Sequence, residues 1–158
     1  MEDFPQYVYR GARASLILQF NFLREFVETW KKAKAKGVEI PETDDPDYAS
    51  LDTLLRHVLW WARYYLLWIS EKLELPDPEE LPIPDVEKIE NDADLFVDRL
   101  CRIWYKSPLS EVSEEKFYVP LHTAKWNVDY CIDAMLEHAA LHPKRHQYQL
   151  LKFMENNI

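Results

Sequence analysis

The chain is expected to fold as an all-α domain, a four-helix bundle with long connections, and three observations point there. Only two of its 158 residues are Gly, too few for the turns and bulges of a strand-rich fold. Hydrophobic residues make up 47% and aromatic residues 14%, so there is a core to bury and disorder is disfavoured. Four segments carry apolar residues at three- and four-residue steps, the period of a helix with one buried face. The length suits a single domain over residues 1–158.

The first helix is expected from about Pro5 to Lys36. Tyr9, Leu16, Phe20, Leu23, Val27 and Trp30 recur along one face, and Gly37 follows as a stop. The run KKAKAK (31–36) places cations where the helix dipole favours them, and it reads as a solvated helix end. A polar loop (38–50) leads to the second helix, 51–75. Its inward stripe is Leu54, His57, Trp61, Tyr64 or Tyr65, and Trp68. Leu59, Leu66 and Leu67 lie on the other side, so this helix is either central or carries an oligomer contact.

PDPEELPIPD (76–85) has four prolines and is not helical; its length suits an overhand crossing rather than a tight hairpin. The third helix puts Val86, Ile89, Ala93, Phe96 or Val97, Leu100 and Trp104 on one face. A long connection (105–126) follows, with a short extended piece expected at Phe117–Val119. The fourth helix is expected from near Thr123 to about Glu155, with Val128, Ile132, Met135, Ala139 and His142 on its inner face.

Charge narrows the function. The net charge is −9 and there is no basic stripe, which argues against nucleic acid and against an anionic membrane surface. No window approaches the roughly 18 apolar residues of a membrane span, and MEDFPQYVYRGARASLIL lacks the apolar run of a signal peptide. Cys101 and Cys131 are too few for a disulfide framework and read as core residues in a reducing, cytoplasmic setting.

The chemistry-bearing stretch is EHAALHPKRHQYQL (137–150), with His138, His142 and His146 four residues apart. On a helix these form one slanted row, about 6 Å apart per step along the axis. Adjacent members can share a metal ion, but His138 and His146, about 12 Å apart along the axis, cannot both do so. A third ligand must come from a facing helix, and His57 is the candidate. Geometry leaves the pairs 138/142 and 142/146 open. Pro143 adds two outcomes: a bend that frees the Ala139 carbonyl, or a stop and restart that spoils the 142/146 spacing.

HPKRHQYQL (142–150) resembles the His-x-x-x-His-x-x-Gln-Leu/Ile signature late in the DinB-like metal-binding four-helix bundles. That superfamily includes the YfiT-type proteins and the bacterial thiol S-transferases. Its members place a further metal-binding His in the second helix, which corresponds to His57 in LLRHVLWW. The resemblance implies a site of His57, His142 and His146, with His138 in a supporting role. It also implies frequent homodimers and enzymes that transfer or hydrolyse small thiol adducts. Histidine ligation is compatible with zinc, nickel, iron or copper, and one divalent transition ion is expected, zinc first with nickel or iron as alternatives. Two departures stand out: His146-Gln147-Tyr148-Gln149 replaces the common His-Arg-Gly-Gln ending, and Pro143 stands between the ligands.

Three neutral imidazoles leave an ion its full charge and an open position, the pattern of catalytic rather than structural zinc. Gln149, three residues after His146, could orient its ring. Three functions follow. The chain is a metal-dependent enzyme acting on a small molecule through an activated thiolate or water, a metal-binding bundle without turnover, or a metal-free helical interaction protein.

Overall fold

The computed structural model describes residues 4–156. Four α-helices carry the fold: α1 (Arg10–Ala35), α2 (Leu51–Lys72), α3 (Ile89–Lys106) and α4 (Ile132–Asn156). A two-stranded antiparallel ribbon, β1 (His122–Thr123) and β2 (Asp129–Tyr130), precedes α4.

Contacts along the helices fix their directions. The Trp30 indole N–H donates to the Leu51 carbonyl at 2.7 Å, so α1 and α2 form an antiparallel hairpin. Arg24 meets Asp98 and Lys31 meets Asp94, so α3 also runs against α1. Tyr9 meets Asp133, Lys144 meets Glu25 and Gln147 meets Thr29, so α4 runs parallel to α1. With α1 pointing up, the order is up, down, down, up. The parallel pair α2 and α3 needs a crossing that a hairpin cannot make, and the proline-rich stretch 76–85, free of helix, supplies it.

The expected core stripes are buried: Leu16, Phe20, Leu23, Val27 and Trp30 in α1, and Ile89, Ala93, Leu100 and Trp104 in α3. In α2 the predicted inward residues Leu54, Tyr65 and Trp68 are buried, and so are Leu59 and Leu66 on the other side. This helix is therefore central, touching α1, α3 and α4. Its second apolar side is covered within the chain at Leu59 and Leu66, while Leu67 is half-buried.

Three boundaries differ from the sequence reading. Helix α1 starts at Arg10, not Pro5, because residues 4–9 have other partners. Phe4 and Tyr7 are buried, the Val8 N–H donates to the Ser110 carbonyl at 2.9 Å, and Arg13 donates to the carbonyls of Phe4 and Pro5. Tyr9, with extended backbone, precedes the helix instead of starting its stripe. Helix α4 starts at Ile132, not Thr123. Asn127 takes a left-handed turn (φ 59°), the Ala124 N–H donates to the Val128 carbonyl, and the Thr123 hydroxyl donates to Asp129, closing a hairpin instead of a helical turn. Val128 is consequently exposed, and the extended piece of this connection lies at β1 and β2 rather than at Phe117–Val119.

Helix α2 ends at Lys72 instead of Leu75. At Gly37, after α1, the Gly37 N–H bonds the Lys34 carbonyl and the Val38 N–H bonds the Ala33 carbonyl, with φ +64° at the glycine. The same two-bond cap closes α2: Glu74 N–H to Glu71 and Leu75 N–H to Ser70, with φ 54° at Glu74. A left-handed residue with a Cβ costs about 1–2 kcal/mol. Glu74→Gly is expected to stabilise the fold by roughly 0.5–1 kcal/mol. A rise in the urea midpoint at unchanged slope would show it, and an unchanged or lower midpoint would contradict it.

Candidate metal centre

Because α2 and α4 are antiparallel neighbours, the second turn of α2 faces the middle of α4. A capping box sets where α2 begins: the Thr53 N–H donates to the Ser50 side chain and the Ser50 N–H to the Thr53 side chain. From that start His57 falls on the side facing α4. Helix α4 continues through Pro143 without a break, so the i, i+4 spacing of His142 and His146 survives.

One ring nitrogen from each of His57, His142 and His146 lies within 4.8 Å of the others. His142 Nε2 and His146 Nε2 are 3.4 Å apart. Nitrogens bound at about 2.1 Å to one tetrahedral ion are separated by about 3.4 Å, so this pair already has ligand spacing.

The outer nitrogens fix which atoms face inward. His57 Nδ1 lies 3.0 Å from Asp47 Oδ2, and since a carboxylate only accepts, Nδ1 carries the proton. His146 Nδ1 lies 3.1 Å from Gln149 Oε1 and donates to it in the same way. Both rings then present an Nε2 lone pair to the cluster. This is the outer-partner pattern that orients metal-binding histidines. His142 Nδ1 is buried with no partner among the described residues. Without an ion, His142 Nε2–H can offer His146 only a long 3.4 Å hydrogen bond. That is weak compensation for a buried ring whose other nitrogen is unsatisfied. The residues present therefore fit a divalent transition ion.

The His142 and His146 rings are also held neutral. Burial drives the His142 pKa well below its ordinary value, with His146, His57 and Arg145 pushing the same way. Burial lowers His146 to about 4, against the raising effect of Gln149. Neutral imidazole is the form that binds a metal. Aromatic rings enclose the cluster: Tyr48 packs on His57 and His146, Tyr65 and Trp61 on His142, and Phe26 edge-on to His146.

His138 is outside the cluster. It stacks on Trp126 (centroids 5.5 Å apart, planes 24° apart) beside Tyr65 and Tyr130, which makes it an aromatic packing residue. His122 sits in β1 edge-on to Trp68. Cys101 and Cys131 are half-buried free thiols, and the Cys131 sulfur accepts from the Ala134 N–H at the start of α4. Asp47 and Tyr48, which complete the site, were not singled out from the sequence. The Asp45 side chain accepts from the Asp47 N–H and Pro46 opens a short 3-10 turn (Pro46–Tyr48), so DDPDY marks a tight turn. Nothing in its sequence says that the turn docks over His57.

A cavity of about 410 Å³ opens beside the cluster, and His57 and Asp47 form part of its wall. This volume suits a small organic molecule.

Two outcomes are expected. Asp47→Ala should weaken zinc binding by about 10–100-fold, measured by competition with a chromophoric chelator; an unchanged affinity would remove Asp47 from the site. In metal-free protein the lowered pKa of His146 means that, from pH 6.5 down to about 4, the unfolded chain takes up a proton that the native chain refuses. Stability is therefore full above pH 6.5 and falls as the pH drops, by roughly 2 kcal/mol at pH 5 from this group alone. Urea unfolding of wild type and His146→Gln at pH 7.5 and 5 tests it: the variant should lose less, and an equal loss would refute the assignment.

Comparison of the chain with protein-family models, with curated proteins and with solved structures finds no match.

Proposed function

We propose that this chain is a DinB-like, divalent-metal-dependent enzyme acting on a small molecule at the His57–His142–His146 site. One observation carries the reading: His57 belongs both to the three-imidazole cluster and to the wall of a cavity of about 410 Å³. A closed structural site would have a fourth protein ligand, and among the described residues the cluster is three histidines only.

An ion held there by His57, His142 and His146 would supply Lewis acidity and lower the pKa of a thiol or water. The chain's own residues do the rest. Asp47 and Gln149 keep the protons of His57 and His146 on Nδ1, so that Nε2 stays a ligand atom. Burial of His142 and His146 keeps both rings neutral, and the Tyr48, Trp61 and Tyr65 rings exclude bulk water from them. Zinc is the first choice of ion for an all-imidazole set, with nickel and iron as alternatives. The preference for a thiol reactant, and for a homodimer, rests on the likeness of HPKRHQYQL and of His57 to the DinB-like bundles.

Elemental analysis of protein purified in mild buffer tests the site. Wild type should carry about one ion per chain and His142→Ala/His146→Ala almost none; equal content in both would eliminate the proposal. Azide or a small thiol should then change the visible spectrum of the cobalt-substituted protein. A spectrum indifferent to both, in a protein that holds cobalt stoichiometrically, leaves a metal-binding bundle without turnover.

A further inference from the structure

The cavity beside His57 has a chemical character of its own. Arg56 and Lys125 both line it, with Trp60, Trp61 and Thr53. The chain as a whole is acidic, at −9, yet neither cation has a carboxylate partner among the described residues. The Arg56 Nε–H donates to the Pro84 carbonyl at 3.3 Å, which anchors the guanidinium and leaves its terminal nitrogens without an acceptor among the described residues. The Lys125 ammonium lies 4.1 Å from the centroid of the Trp60 ring, 4.3 Å from that of Trp61 and 5.0 Å from that of Tyr64. Rings hold a cation there without neutralising it. The carboxylate on the wall, Asp47, faces the His57 Nδ1–H.

Two anchored, uncompensated cations at the mouth of a small cavity concentrate anions, because low-dielectric walls focus their field. A guanidinium with free terminal N–H groups suits the paired oxygens of a carboxylate or phosphate. The indole walls suit a flat or apolar body. We propose that this cavity binds the substrate of the metal centre, and that the substrate is a small organic anion. Its carboxylate or phosphate lies between Arg56 and Lys125, and its apolar portion packs on Trp60 and Trp61. The inference rests on the proposed enzyme reading for the word substrate; the anion site itself does not.

Calorimetric titration with benzoate, phenyl phosphate and the uncharged isostere benzamide tests it, on zinc-loaded protein and on protein stripped of metal. Using both forms separates binding in the cavity from ligation of the ion. Benzoate or phenyl phosphate should bind saturably to both forms, with benzamide at least tenfold weaker. The tighter of the two anions identifies the headgroup. Arg56→Gln and Lys125→Gln should each weaken anion binding about tenfold or more, without changing zinc content. Lys125 is exposed and Arg56 half-buried, and circular dichroism with a thermal melt of each variant checks that the fold is intact. If benzamide equals benzoate, if neither variant weakens the anion, or if no anion binds at millimolar concentration, the inference is overturned. A His142→Ala/His146→Ala protein that lacks zinc but still binds the anion separates the two readings. If the wild type also carries no zinc, the metal proposal fails and the anion site stands; zinc without anion binding is the reverse.

Discussion

The 3.4 Å approach of His142 Nε2 to His146 Nε2 is the constraint around which the middle of the bundle is arranged. Two imidazoles one helical turn apart reach this spacing only if the helix between them stays regular. They stay neutral only if charge is kept off them. Helix α4 meets the first condition by running unbroken through Pro143. Burial meets the second, aided by the neighbouring Arg145 and His57. The arrangement is costly without an ion, since among the described residues the buried His142 ring has only the long 3.4 Å contact at Nε2 and nothing at Nδ1. Buried polar groups left unsatisfied in native proteins call for an explanation. A metal bond at Nε2 is one that also accounts for the orientation of the other two rings.

That arrangement depends in turn on topology. The third ligand must come from a helix packed on α4, and α2 packs there. Were 76–85 short enough for a hairpin, α3 would run against α2 and compete for its flank. The four prolines of this stretch keep it extended and unable to join either helix.

Much of this was legible in the sequence, for identifiable reasons. Periodicity located all four helices, and spacing arithmetic excluded a shared ion on His138 and His146 together. Adjacent pairs remained open, and the choice of 142/146 came from the likeness of Gln149-Leu150 to a known signature. The structure then places His138 on Trp126 and Gln149 on His146. What could not be read was long-range. The early start assigned to α1 failed because Phe4, Tyr7 and Val8 bind residues distant in the chain. The early start assigned to α4 failed because one left-handed residue, Asn127, turns an apolar-spaced segment into a hairpin. Asp47 was invisible for a related reason. Its turn is written locally, but its docking onto α2 is a tertiary fact.

The ligand set also says something about charge. With 28 acidic residues available, a site could readily have used a carboxylate ligand, yet the cluster has none. Asp47, the carboxylate that meets it, stands behind His57 Nδ1 instead of facing the cluster. An anionic ligand would cancel part of an ion's charge, whereas a carboxylate behind an imidazole raises the ring's basicity and leaves the ion's own position open. With an ion bound, neutral ligands on an acidic chain would preserve its positive charge at one point. Arg56 and Lys125 extend that positive region along the adjoining cavity. A local field of this sign, opposite to that of the whole molecule, would draw the proposed anion to the site while the remaining surface repelled it. The selection made at the cluster and the selection made at the cavity are therefore the same electrostatic choice.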